Sequence, residues 1–206
     1  RARFQEDYSR MLRGLRFACQ LGFTIETKTW QAITKLMPRV NTKRNILRAS
    51  TRESRSGSRQ ARTILQQEYI VPRETIGREL IKAFVAAPVH AMDFWDRSGA
   101  FAVAIPELLK MKKCPQPHAF HTEGDVWVHT RLALSELMGA RFHRVFPDVT
   151  LNAILIFATL FHDIGKSRTK RGEGLDSTFY GHEVAGARVA AQILGRLKFP
   201  RDVIEK

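Results

Sequence analysis

A chain of 206 residues with 44% hydrophobic side chains can bury a real core, and its longest strongly apolar run, residues 153–161, falls far short of the roughly 20 that cross a bilayer. No amino-terminal stretch combines a charged start, an apolar run and a small-residue cleavage site, and Cys19 and Cys114 form no metal-type spacing and read as buried thiols of a cytoplasmic protein. The net charge of +14 is concentrated in residues 1–73, with 16 Lys/Arg against 5 Asp/Glu; clustered charge of this kind attracts nucleic acid, and an interfacial membrane helix is excluded because the arginine-rich stretch has no apolar face.

In chain order, residues 6–21 place Leu12, Leu15, Ala18 and Leu21 three apart beside Met11, which predicts a helix stopped at Gly22. A second helix is predicted over 26–37, with Trp30, Ile33 and Met37 on one face and Pro38 ending it. Residues 40–63 alternate arginine with Asn41, Ser50, Thr51, Ser54, Ser56, Gly57 and Ser58, a composition that suits a mobile linker or loop. Pro72 opens another helix, whose face is Ile76, Leu80, Ile81, Phe84 and Val85. Further helices are predicted at 88–96, 99–111, 126–139, 150–162 and 182–197, with Pro115 and Pro117 marking a break. No alternating strand pattern or internal repeat stands out, so the expected fold class is all-α. Starting at Arg1 and ending at Lys206 in helical pattern, the sequence reads as part of something longer.

Two groups of residues carry chemistry. On a helix, Asp7 and Arg10 of Glu6-Asp7-Tyr8-Ser9-Arg10-Met11-Leu12-Arg13 would lie three apart on one face, with Arg13 three further. An acceptor beside a fork of donors matches the pairing edges of cytosine and adenine, and leaves like groups facing each other against guanine and uracil. The plain reading of the same pair is a surface salt bridge worth a few tenths of a kcal/mol, about 0.3. The longer run from Arg3 to Glu26 resembles the neck of the bacterial class of tRNA nucleotidyltransferases and poly(A) polymerases. That resemblance implies Asp7 and Arg10 as readers of CTP and ATP, supported by Glu6 and Arg13, with the RNA-binding region opening after Gly22 and continuing at Pro38 and Glu74–Leu80. The chain departs from the family pattern between Val40 and Tyr69, which is longer and richer in arginine. There Arg44, Arg48 and Arg52, with Arg16 from the neck, are candidate contacts to RNA phosphates; a segment that touches nothing specific is the competing reading.

The second group is His129, the adjacent pair His162-Asp163, and His182 in Gly181-His182-Glu183. Imidazole and carboxylate suit Mn, Fe, Ni or Zn, and helix-borne histidines on different elements can converge on one ion. Lys166 and Arg168 could hold a phosphate or be solvated loop residues. The set, with flanks Pro115-Gln116-Pro117 and His121-Thr122-Glu123-Gly124-Asp125-Val126-Trp127, resembles the HD superfamily of metal-dependent phosphohydrolases, as found after the neck in many bacterial tRNA nucleotidyltransferases. The resemblance implies His162 and Asp163 as catalytic and His129, His162, Asp163 and His182 as ligands of a divalent metal (Mn, Ni, Fe or Mg). The superfamily's last aspartate has no convincing candidate; Asp202 follows Pro200 in a context that does not match.

The expected organisation is therefore a neck over 1–39, a basic insertion or linker over 40–70, the rest of a helical RNA-binding region over 71–112, and an HD domain over 113–206. The expected partners are the 3′ end of tRNA or another RNA and nucleoside triphosphates. The paired carboxylates of nucleotidyl transfer, which hold Mg in the family, find no Asp-x-Asp here. The alternative is a stand-alone HD phosphohydrolase with a basic RNA-binding extension.

Overall fold

The computed structural model describes residues 2–53, 59–117 and 123–205. Its elements are, in order, α1 (Ala2–Glu6), α2 (Ser9–Leu21), α3 (Thr27–Leu36), β1 (Lys43–Glu53), β2 (Arg59–Tyr69), α4 (Arg73–Ala86), α5 (Pro88–Arg97), α6 (Ala100–Ala104), α7 (Pro106–Leu109), α8 (Val126–Leu137), α9 (Ala140–Val145), α10 (Ala153–Phe161), α11 (Lys166–Thr169), α12 (His182–Arg196) and α13 (Arg201–Ile204). Among the described residues the fold is all-α apart from one two-stranded ribbon.

The helices form where the apolar spacing places them. Met11, Leu12, Leu15, Ala18 and Cys19 bury one side of α2, and Gly22, with a φ of 65°, ends it in the left-handed turn that glycine adopts without penalty. Ile33 and Met37 are buried below α3, while Trp30 packs its ring 5.7 Å from that of Phe94. One apolar cluster runs from Met11 through Phe84 and Trp95 to Phe157 and Leu197, so the first and second halves of the chain share a core. The rings of Phe84 and Phe157 meet at 5.6 Å and those of Phe101 and Trp127 at 5.9 Å. Gly77 lets α4 approach the segment after α12 closely, because a Cβ there would lie 2.4 Å from the carbonyl oxygen of Leu197. Both cysteines are buried and unbridged, and burial pushes the Cys19 thiol up to about 11.

Charged pairs fix the relative placement of the helices. Arg196 on α12 clasps Glu107 on α7 through two hydrogen bonds of 2.7 and 2.8 Å. Arg131 on α8 holds Asp93 on α5 in the same forked way, at 2.8 and 2.7 Å. A buried pair joins α2 to α4, where Arg16 Nε donates to Glu79 Oε2 at 2.7 Å. Arg16 also donates to Gln20 and lies over the Phe17 ring.

The arginine-rich segment is not the loop its composition suggests. Its two strands pair antiparallel from Lys43 opposite Tyr69 to Glu53 opposite Arg59. Buried Val40 and Val71 pin its two ends to the core, and the Ile70 amide closes its base by donating to the Thr42 carbonyl at 2.9 Å. Beyond that base the ribbon buries nothing among the described residues: facing Leu47 and Leu65 are 74% and 68% exposed. A strand with no buried face needs no apolar alternation, which is the signal that identifies strands in a sequence.

Two carboxylate deletions test this account of the charges. Glu79→Ala leaves the Arg16 guanidinium buried without its partner and is expected to cost about 3 kcal/mol in urea denaturation. Glu6→Ala removes an exposed pair with Arg10 and is expected to cost under about 0.5 kcal/mol. Equal costs would contradict the structural role assigned to Arg16.

Candidate functional site

Four elements bring the HD residues together. His129 lies in the first turn of α8, whose start is capped by Asp125 accepting from the Val128 amide at 2.9 Å. His162 closes α10, and Asp163 follows in the turn that leads to Lys166 at the start of α11. His182 is the first residue of α12, entered through Gly181 at a φ of 75°. Gly165 makes this convergence sterically feasible: a Cβ there would lie 2.1 Å from the His182 carbonyl oxygen and 2.6 Å from the Gly186 nitrogen. Any side chain at 165 would push the first turn of α12 away.

Asp163 is the centre, 3% exposed. Its Oδ2 lies 3.1 Å from His162 Nε2, 3.7 Å from His129 Nε2 and 2.8 Å from Lys166 Nζ, while Oδ1 lies 3.6 Å from His182 Nε2. Each ring's other nitrogen is engaged. His162 Nδ1 faces the Thr159 carbonyl at 2.8 Å and His182 Nδ1 the Phe179 carbonyl at 2.9 Å. A carbonyl can only accept, so both Nδ1 atoms carry the proton, and in the neutral ring Nε2 keeps a lone pair aimed at Asp163. His129 Nδ1 meets the Glu123 carboxylate at 2.7 Å, the arrangement that fixes a metal-binding imidazole.

The electrostatics follow from this geometry. Burial alone would raise the Asp163 carboxyl, yet the His162 ring and the Lys166 ammonium, close by as polar and positively charged neighbours, outweigh it and hold the group well below the usual carboxylate range. Burial alone would lower His162, yet the hydrogen bond and charge of Asp163 and the Thr159 carbonyl raise it above the ordinary histidine value. Lys166 is not the solvated loop residue its position allows: it is 8% exposed and donates to Gln116 Oε1 at 2.7 Å.

These residues fit a divalent metal. His129, His162 and Asp163 offer ligand atoms within 4.8 Å of one another, and His182 reaches the opposite oxygen of the same carboxylate. Asp163 Oδ2 is buried and takes part in no well-aligned hydrogen bond, although Lys166 Nζ and His162 Nε2 stand near it. Three imidazoles and a carboxylate form a nitrogen–oxygen set suited to Mn, Fe, Ni or Zn. Glu123 and Gln116 have no role that the sequence alone assigns; both lie in the motif flanks, and Glu123 sits six residues before His129.

Of the other predicted residues, Asp7, Arg10 and Arg16 are arranged differently from expectation. The helix breaks at Asp7–Tyr8, and Asp7 Oδ1 accepts from the Ser9 amide at 2.9 Å, at the start of α2. Arg10 turns to Glu6 Oε2 at 2.7 Å and to the Arg3 carbonyl at 2.9 Å, so the expected Asp7–Arg10 side-chain pair is replaced by Glu6–Arg10. Arg13 is exposed on α2. Arg16, expected on RNA, is 9% exposed and held by Glu79, which corrects that expectation. Arg44 and Arg48 are exposed on β1, beside Glu68 at 3.5 Å and Gln66 at 3.4 Å. The side chain of Arg52, like His121 and Thr122 of the HD flank, lies outside the described residues.

Comparison with known proteins gives two findings. The family model of the HD domain matches residues 133–206. The chain is 30% identical over 205 residues to the CC-adding tRNA nucleotidyltransferase of Thermus thermophilus, covering 98% of this chain and 40% of that protein. It is 30% identical over 204 residues to the multifunctional CCA protein of Actinobacillus pleuropneumoniae serotype 5b, covering 97% and 42%, and 28% identical over 203 residues to that of Shewanella frigidimarina, covering 97% and 40%. The chain thus spans about 40% of the length of these relatives. No solved structure matches it.

If Glu123 orients His129 for a metal, Glu123→Gln is expected to weaken Mn²⁺ or Ni²⁺ binding by about 10-fold or more in calorimetric titration. Unchanged affinity would contradict that role.

Proposed function

Because the chain belongs, over the stretch it covers, to the tRNA nucleotidyltransferase family and carries an HD domain, we propose that it serves tRNA 3′-end processing with two sites. One is an HD centre that hydrolyses phosphoesters; the other is a neck that grips RNA and selects the incoming nucleotide. The observation that carries the first is the convergence of three imidazole Nε2 atoms on buried Asp163.

His129, His162, Asp163 and His182 would hold the divalent ion, which supplies a bound water of lowered pKa and a Lewis-acid contact to a phosphoryl oxygen. Thr159 and Phe179, through their carbonyls, keep the protons of His162 and His182 on Nδ1 and so reserve Nε2 as donor. Glu123 does the same for His129. Gln116 and Asp163 hold the Lys166 ammonium from two sides, and its positive charge at the centre favours an anionic ester. His162 and Asp163 are the residues on which hydrolysis depends.

The second site rests on the similarity, which runs over 98% of the chain and therefore includes Glu6–Arg13. The same coverage favours this reading over a stand-alone HD phosphohydrolase. For Asp7 and Arg10 to read the edge of CTP or ATP, Arg10 must leave Glu6. Both partners of that pair are exposed, at 40% and 62%, so its loss costs under about 1 kcal/mol and the switch is cheap. Arg13 would support the reading pair. Arg44 and Arg48 on the ribbon are exposed and would contact RNA phosphates without reading sequence. In the family, Mg serves the nucleotidyl transfer to which this selection belongs.

Hydrolysis of bis-p-nitrophenyl phosphate by the Mn²⁺- or Ni²⁺-loaded chain tests the first site. Asp163→Ala is expected to reduce turnover by about 100-fold or more, and full turnover in that variant would refute the assignment. For the second, the chain is expected to bind CTP and ATP more tightly than GTP and UTP, with the preference erased in Asp7→Ala or Arg10→Ala. An unaltered preference in both variants would sink the selecting role.

A further inference from the structure

In the neck, α1 and α3 enclose a groove of about 660 Å³ whose lining includes Arg3, Phe4, Lys28, Gln31, Ala32 and Lys35. We propose that this groove is a binding site for a chain of phosphates, on the rim cations Arg3, Lys28 and Lys35. The assignment deepens the neck reading above and rests on it only for the source of the phosphates.

Three observations carry it. The first is the lining itself: three cations and no carboxylate, around a floor of Phe4 and the small Ala32. On α3 the lysines are seven residues apart, two turns, so they stand on one face about 10.5 Å apart along the axis, with Gln31 and Ala32 between them. The second is that these cations are uncompensated. Arg10, Arg16, Arg44, Lys112, Arg131 and Arg196 all have carboxylate partners. Among the described residues, Arg3, Lys28 and Lys35 have none; exposed Arg13, Arg78 and Lys82 have none either, and what marks these three is that they line one concavity. Like charges gathered around a concave surface raise the local concentration of anions.

The third observation is position. The Arg3 carbonyl accepts from Arg10 at 2.9 Å, and Glu6, the last residue of α1, holds the same guanidinium. The groove therefore opens beside the element proposed to read the nucleotide base. Glu26 is the nearest acid in sequence, and its carboxylate is engaged by the Lys28 and Thr29 amides at 2.9 and 2.7 Å. It occupies the start of α3, so the ligand would lie along the side of that helix, between the lysines, and not at its end. Two sources share this chemistry: the phosphodiester backbone of an RNA strand and the triphosphate of a nucleotide.

The test is an amide NMR titration of this chain, as wild type and as Lys28→Ala/Lys35→Ala, with inorganic tripolyphosphate and separately with a short single-stranded RNA. Shifts over residues 27–36 that vanish in the double variant are the expected result. A response to RNA only, with the slope of log affinity against log salt falling by about 1.4 in the variant, identifies the backbone as the source. A response to tripolyphosphate only, reproduced by CTP, identifies the triphosphate. If RNA does not bind but tripolyphosphate shifts 27–36, the RNA-grip reading fails and the groove stands. If RNA binds the variant with an unchanged salt slope and tripolyphosphate shifts nothing, the groove assignment is overturned while RNA binding stands.

Discussion

A carboxylate that is 3% exposed must be compensated by neighbouring charge and hydrogen-bond donors, because an isolated ionised group in such a place costs many kcal/mol. Asp163 meets that requirement by gathering groups from α8, α10, α11 and α12 around one side chain. The constraint works in both directions. The carboxylate can stay ionised only if the imidazoles and Lys166 are near, and those groups are ordered only because the carboxylate draws them. Gly165 is the steric condition for the whole arrangement, since it lets the first turn of α12 touch the turn after Asp163.

The same logic on a smaller scale holds α2 to the rest of the molecule. Arg16 and Glu79 place a full ion pair between α2 and α4, and forked arginine contacts bind α8 to α5 and α12 to α7. These links hold α2 and the second half of the chain against one core. By contrast, the Glu6–Arg10 pair is exposed, as the proposed exchange of that salt bridge for a nucleotide requires.

The four metal-binding candidates are legible in the sequence because His129, His162-Asp163 and His182 are chemically distinctive and lie in helical or helix-end patterns. Their supporting residues are not. Nothing in Pro115-Gln116-Pro117 says that Gln116 will reach Lys166 fifty positions away, and Glu123 is one acid among many until α8 places His129 beside it. Helices are readable because burial imposes their apolar spacing. The ribbon escapes such a reading because Leu47 and Leu65 face solvent, so no core marks the strands with alternation. Arg16 escapes it for the opposite reason: charge counts treat every arginine as surface, and only the fold shows Glu79 waiting for it. At Asp7 the backbone amide of Ser9 competes for the carboxylate and breaks a helix that spacing alone would continue.

The central claim is that Asp163 and three imidazoles form one metal site. An X-ray absorption spectrum of the chain loaded with Mn²⁺ or Ni²⁺, beside His182→Ala, tests it most directly, because outer-shell scattering counts imidazole ligands. Three imidazoles falling to two in the variant is the predicted result. A single imidazole or none in the wild-type spectrum would contradict the account.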